Sequence, residues 1–78
     1  MYLNEALPNE SYYIRKLHTK GILRCRMREL GIIEGTQIKS LFCAPFGDPV
    51  AYLVRGTVLA IRNCEAAEIE IEPVKNDE

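Results

Sequence analysis

The apolar positions of this 78-residue chain fall mostly into short runs of period two, interrupted once by a run of helical period. Residues 68–72 (EIEIE) alternate strictly, which predicts a half-buried strand with Ile69 and Ile71 inward. Residues 36–43 (TQIKSLFC), 50–55 (VAYLVR) and 57–61 (TVLAI) predict an antiparallel meander, with Ile38 and Phe42 on one face of its first strand and Leu41 and Cys43 on the other. Residues 11–18 (SYYIRKLH) favour extended structure, but Ile14 and Leu17 are out of phase by one position. A bulge between them restores the phase. The helical run is residues 21–30 (GILRCRMREL): Leu23, Met27 and Leu30 share one face, Ile22 borders it, and Arg24 and Arg28 lie opposite. Gly31 predicts a left-handed stop, after which Ile32 packs back on Met27. Thr19 is the available cap, and Arg26 falls on the apolar side of the wheel, where it needs a carboxylate or a route to the rim. One helical turn follows at residues 63–68 (NCEAAE), with Asn63 as its N-cap.

These elements make a mainly β domain of about five strands, with a helix inserted after the first strand and one helical turn before the last. Short strands joined by tight turns predict a closed or nearly closed barrel, because closure removes sheet edges. Residues 1–78 are read as one domain: 1–10 a lead-in whose Leu3 and Leu7 cover the edge of the core, 73–78 a flexible polar tail.

Composition narrows the function classes. A domain this small buries only roughly 60% of its unfolded surface and leaves little material for a deep catalytic cleft. The net charge is −1, yet the charges are segregated. Arg15, Lys16, Lys20, Arg24, Arg26 and Arg28 form a basic run without an acid, while residues 65–78 hold six acids against Lys75. The fold either brings these runs together or leaves two faces of opposite sign. No signal peptide and no apolar run of membrane-spanning length is present, and three unpaired cysteines suit a reducing compartment, so a soluble cytoplasmic protein is expected.

The stretch Ala44-Pro45-Phe46-Gly47-Asp48-Pro49 reads as a stiff loop between two strands. Gly47 and Asp48 supply turn chemistry. Phe46 at its tip needs either a core to fold back on or a partner to meet. The partner-binding candidates are therefore Phe46, Gly47 and Asp48, with the Arg24 and Arg28 face assisting. Asp48 is also the candidate carboxylate for Arg26 or Arg55, a clamp that would fasten the loop to the barrel. His18, Cys25, Cys43 and Cys64 are spaced by 7, 18 and 21 residues, none of them a ligand spacing, so no metal site is assigned. No nucleophile stands beside a base, no carboxylates pair in a cleft, and no glycine loop cradles phosphate. Catalysis, cofactors and nucleic-acid binding are not expected; only Tyr12 and Tyr13 accompany the basic run.

The series Arg26-Met27-Arg28-Glu29-Leu30-Gly31-Ile32, Glu34-Gly35, Ala44 to Pro49, Val54-Arg55-Gly56 and Ala60-Ile61-Arg62 resembles the FeoA family of bacterial ferrous iron uptake. The chain differs from that pattern at Asn9, where a glycine follows the proline, and at Glu34, where a proline precedes the glycine. The resemblance implies a small Src-homology-3-like barrel with a helical insertion after the first strand. It implies an accessory or regulatory partner of the FeoB-type membrane permease, acting at its cytoplasmic G-protein side and meeting the membrane only through that partner. A related barrel forms the C-terminal domain of DtxR-type metal-dependent repressors, so a metal-binding or metal-sensing domain is the alternative.

Overall fold

The computed structural model describes residues 1–74. Its elements follow the order β1 (Ser11–Leu17), α1 (Gly21–Glu29), β2 (Gln37–Cys43), β3 (Val50–Val54), β4 (Thr57–Ile61), α2 (Asn63–Ala66) and β5 (Ile69–Pro73). The five strands form one antiparallel sheet in the order β4-β3-β2-β1-β5. The expected bulge in β1 is present: the pairing with β5 shifts between Ile14 and Lys16, which lets Tyr12, Ile14 and Leu17 all turn inward.

A second bulge corrects the face assignment in β2. Its pairing with β3 shifts between Ser40 and Phe42, so Leu41 is the extra residue. Ile38 and Ser40 face the core, and Phe42 turns outward beside Ala51, 66% exposed. The reading that placed Phe42 with Ile38 assumed an unbroken period of two.

The sheet curls without closing. Among the described residues no ladder joins β4 to β5. The start of the chain and α2 occupy that seam. Leu3, at the head of a 3-10 turn (Leu3–Glu5), is fully buried, as is Ala66 of α2. The Tyr52 hydroxyl of β3 donates to the Leu3 carbonyl at 3.4 Å, Tyr2 bridges Glu70, and the Ile71 N–H donates to the Met1 carbonyl at 2.8 Å. Within residues 1–10 Leu3 seals the edge of the core, as expected, and half-buried Ala6 packs beside it. Leu7, grouped with Leu3 in the sequence, is 61% exposed. The first residue of the expected tail, Pro73, pairs with Tyr12 in β5; residues 75–78 lie outside the described residues.

Helix α1 ends as its sequence predicts. Gly31 stands at φ 97, its N–H donates to the Arg28 carbonyl at 3.1 Å, and the Ile32 N–H donates to the Met27 carbonyl at 2.9 Å. That is the paired 5→2 and 6→1 bonding of a Schellman stop, with Ile32 buried against the sheet. The start differs. Lys20 holds the N-cap position without a side-chain bond, and the buried Thr19 hydroxyl donates instead to the Met27 sulfur at 3.8 Å. Met27 is buried and Leu23 half-buried, but Leu30 is 47% and Ile22 is 84% exposed, so the helix meets the barrel along a narrower stripe than the wheel suggests. Asn9 takes a left-handed backbone (φ 65), which asparagine tolerates better than most other side chains.

Candidate functional site

The proline loop leaves β2 and enters β3 through its own turn. The Ala44 N–H donates to the Pro49 carbonyl at 2.9 Å and the Gly47 N–H to the Ala44 carbonyl at 2.7 Å. The loop is then fastened to α2. The Asn63 N–H donates to Asp48 Oδ1 at 2.9 Å, and Asn63 Nδ2 donates to the Gly47 carbonyl at 3.0 Å. Asp48 satisfies, from across the fold, one of the orphan amides that a helix start leaves open. Two expectations are corrected here. Asn63 is not the N-cap: Arg62 holds that position, and the Asn63 side chain reaches the loop instead. Asp48 forms no ion pair with Arg26 or Arg55; its Oδ1 accepts from the Asn63 amide on α2 instead.

With its base fixed, the loop presents Phe46 to solvent, 98% exposed. The core has no place for it. Behind Phe46 the outer face of the meander is also apolar. By register Phe42, Ala51 and Ala60 form one apolar row across β2, β3 and β4, and Lys39, Leu53 and Val58 form the next, apolar except at Lys39. Val58 is 57% exposed.

Electrostatics divide along the basic run. Arg15 Nη1 donates to Glu72 Oε1 at 2.8 Å, and His18 Nε2 lies 2.9 Å from Glu70 Oε1. The bond to Glu72 and its charge push the Arg15 guanidinium's pKa upward, and the bond from His18 holds the Glu70 carboxyl below its usual range. Arg24, Arg26 and Arg28 on α1 form no ion pair among the described residues, and no hydrogen bond links them to the loop. Arg55 makes no ion pair among the described residues either. Its aliphatic stem lies over buried Gly31, where an added Cβ would sit 3.0 Å from Arg55 Cδ. Tyr52 is buried, and desolvation, aided by the Asp48 charge, pushes its hydroxyl up to about 12.

Among the described residues no three His, Cys, Asp or Glu side chains converge into a metal-binding group. Cys25, Cys43 and Cys64 are free and exposed on α1, β2 and α2. Among those residues no helix is long and apolar enough to cross a membrane. Sequence reasoning missed Asn63 as the loop's fastening. The only signal was its place at a helix start, and that signal pointed to a local cap.

Comparison with known proteins adds a family. The FeoA domain model matches residues 1–73. The Fe(2+) transport protein A/Fe(2+) transporter FeoB fusion protein of Porphyromonas gingivalis is 31% identical over 99% of this chain, which spans 9% of that protein. The solution structure of FeoA from Chlorobium tepidum superposes with a TM-score of 0.92 at 29% identity, covering all of this chain and 74% of that one. The Stenotrophomonas maltophilia FeoA, a prokaryotic SH3 domain protein crystallised with zinc, superposes at 0.76 with 28% identity over 92% of this chain and 89% of that one. The ScaR crystal structure with bound Zn2+ shares the fold, at TM-score 0.83 and 22% identity, over 95% of this chain and 37% of that one.

Proposed function

The chain belongs to the FeoA family, and from that premise we propose that it is a non-catalytic accessory module of ferrous iron uptake, docking in the cytoplasm on the G-protein side of a FeoB-type transporter and regulating it. The observation that carries this reading is Phe46. A phenylalanine held 98% exposed on a loop bonded at its base to α2 is a preorganised anchor. The fusion relative supports the choice of partner, since one polypeptide there holds both modules at high effective concentration. Phe42 and the outer face behind the loop extend the contact, and Arg24 and Arg28 supply positive charge toward acidic groups.

Burying one phenylalanine is worth about 1.5–3 kcal/mol, so Phe46→Ala weakens binding to the purified cytoplasmic portion of the transporter by at least about tenfold. The same change leaves thermal stability within about 0.5 kcal/mol, because the side chain touches no core. Equal capture of wild type and variant, both folded, sinks the anchor. The alternative metal-binding reading finds no converging donor set among the described residues of this chain.

A further inference from the structure

We propose that the open edge of β4 is a strand-addition site, and that its occupant is an extended acidic segment of the transporter partner. The partner's identity rests on the docking reading above; the edge itself does not. The β3–β4 hairpin turns through Arg55 and Gly56, both at positive φ (51 and 81), a two-residue reversal closing on the Val54–Thr57 pair. Hydrogen-bonded and non-bonded pairs alternate from there, so Leu59 and Ile61 bond to β3 while Val58 and Ala60 aim their N–H and C=O groups away from it. Among the described residues none of these four groups finds another partner.

The two sheet edges are managed differently. β5 carries Glu70, Glu72 and Pro73 and is bridged by Tyr2, the charge, proline and cover that usually protect an edge. β4 is Thr-Val-Leu-Ala-Ile, with no charge, no proline and no bulge in its ladder. A groove of about 180 Å³ runs beside it. Leu59, Ala60 and Ile61 of β4 line it together with Leu23 and Arg26 of α1 and Leu30 at the helix C-cap. Side chains of consecutive strand residues point to opposite faces, so three in a row line one groove only where it follows the backbone edge. The volume holds part of an added strand, and the rest continues past Val58 in the open.

Charge selects the occupant. Arg26 faces the groove, and Arg24 and Arg28 stand exposed on the same helix, all without ion pairs among the described residues. Glu65 also borders the groove, and its carboxylate lies 3.4 Å from the Arg62 N–H. A second copy of this chain would bring two such arginine sets together across a two-fold axis, adding like charge. An acidic segment with alternating apolar residues meets both the arginines and the edge.

Amide hydrogen exchange of the full chain tests this, with the purified cytoplasmic portion of the transporter as probe. The Val58 and Ala60 amides are expected to exchange at least about tenfold more slowly in the complex. Ala60→Pro removes an N–H that β3 does not use and is expected to weaken binding at least about tenfold with the fold retained. Should the proline variant fail to fold, Ala60→Glu and Ala60→Lys keep the N–H and carry opposite charges. The glutamate is then expected to weaken binding and the lysine to bind more tightly than the glutamate. A complex that leaves both amides unprotected, or equal affinity of the two charge variants, overturns the edge site and leaves docking standing. Absence of any complex overturns docking and this proposal together. Protection that appears in the chain alone and grows with its concentration makes a second copy the occupant and overturns the acidic segment.

Discussion

The β1–β5 flank and the α1–β4 flank share one basic run, and it meets two fates. On the first flank Arg15 and the adjacent His18 are paired within the fold. Antiparallel pairing sets Lys16 opposite Glu70 and Leu17 opposite Ile69, which brings Arg15 to Glu72 and His18 to Glu70. The N-terminal turn then closes over that flank. On the second flank Arg24, Arg26 and Arg28 continue the same run on a helix that meets no acidic strand, and Ile22, Leu30 and Val58 stay exposed beside them. Charge segregation in a sequence is therefore not yet a property of a surface. Topology pairs Arg15 and the neighbouring His18 internally and leaves the three α1 arginines without a carboxylate among the described residues.

The largest expected effect breaks the closed flank. Leu3→Ala removes a side chain that is 0% exposed at the seam between β5 and α2. A buried Leu→Ala change costs about 2–5 kcal/mol, which in a domain this size lowers the melting temperature by roughly 10–40 °C. Leu7→Ala, four residues on and 61% exposed, is expected to stay within about 0.5 kcal/mol. Thermal denaturation of the two variants reads the contrast directly. Similar losses in both would mean that Leu3 does not seal the core's edge in solution.

A smaller effect tests how the open flank is held to the barrel. Gly31→Ala places a Cβ 3.0 Å from Arg55 Cδ at a residue with φ 97. Backbone strain and the displaced arginine together are expected to destabilise by about 1–2 kcal/mol. Arg55→Ala in the same chain relieves the contact but not the backbone, so the double variant recovers part of the loss and not all of it. A strictly additive pair in denaturant unfolding would show that the Arg55 stem does not press on Gly31.

Much of this architecture was legible in the sequence, and the exceptions share a cause. The strand count, the bulge at Ile14, the Schellman stop at Gly31 and the antiparallel meander all follow from local spacing and turn residues. Leu3 at the core's edge was legible, but its separation from exposed Leu7 was not, because a 3-10 turn has too few residues to show which positions share a face. Phe42 was misplaced because the β2 bulge leaves no mark in the sequence there, unlike the Ile14–Leu17 phase error in β1. At the candidate site, spacing identified the loop and Phe46. It assigned Asp48 to an arginine because charge is the visible complement of charge. The acceptor role Asp48 fills, for the amide of Asn63 fifteen residues on, depends on a contact between segments that no local pattern encodes.

The smallest expected effect is a pH dependence confined to the closed flank. Glu70 titrates below the usual carboxylate range, first because His18 bonds to it, with the His18 charge, the N-terminal ammonium and the Arg15 charge adding to the shift and partial burial opposing it. A carboxyl whose folded value is depressed contributes stability above its unfolded value of 4.5 and loses that contribution as pH falls through the lower folded value. The contribution of Glu70 to the β1–β5 pairing is therefore lost as pH falls below 4.5. In His18→Gln the Glu70 carboxyl resonance is expected to titrate closer to its ordinary value, and the acid limb of the stability curve to flatten. Arg28→Gln, on the open flank, has no carboxylate partner among the described residues and is expected to leave that limb unchanged. An unchanged Glu70 titration in His18→Gln would mean that the 2.9 Å contact does not hold in solution, and the closed flank would then rest on Arg15–Glu72 and its backbone ladder.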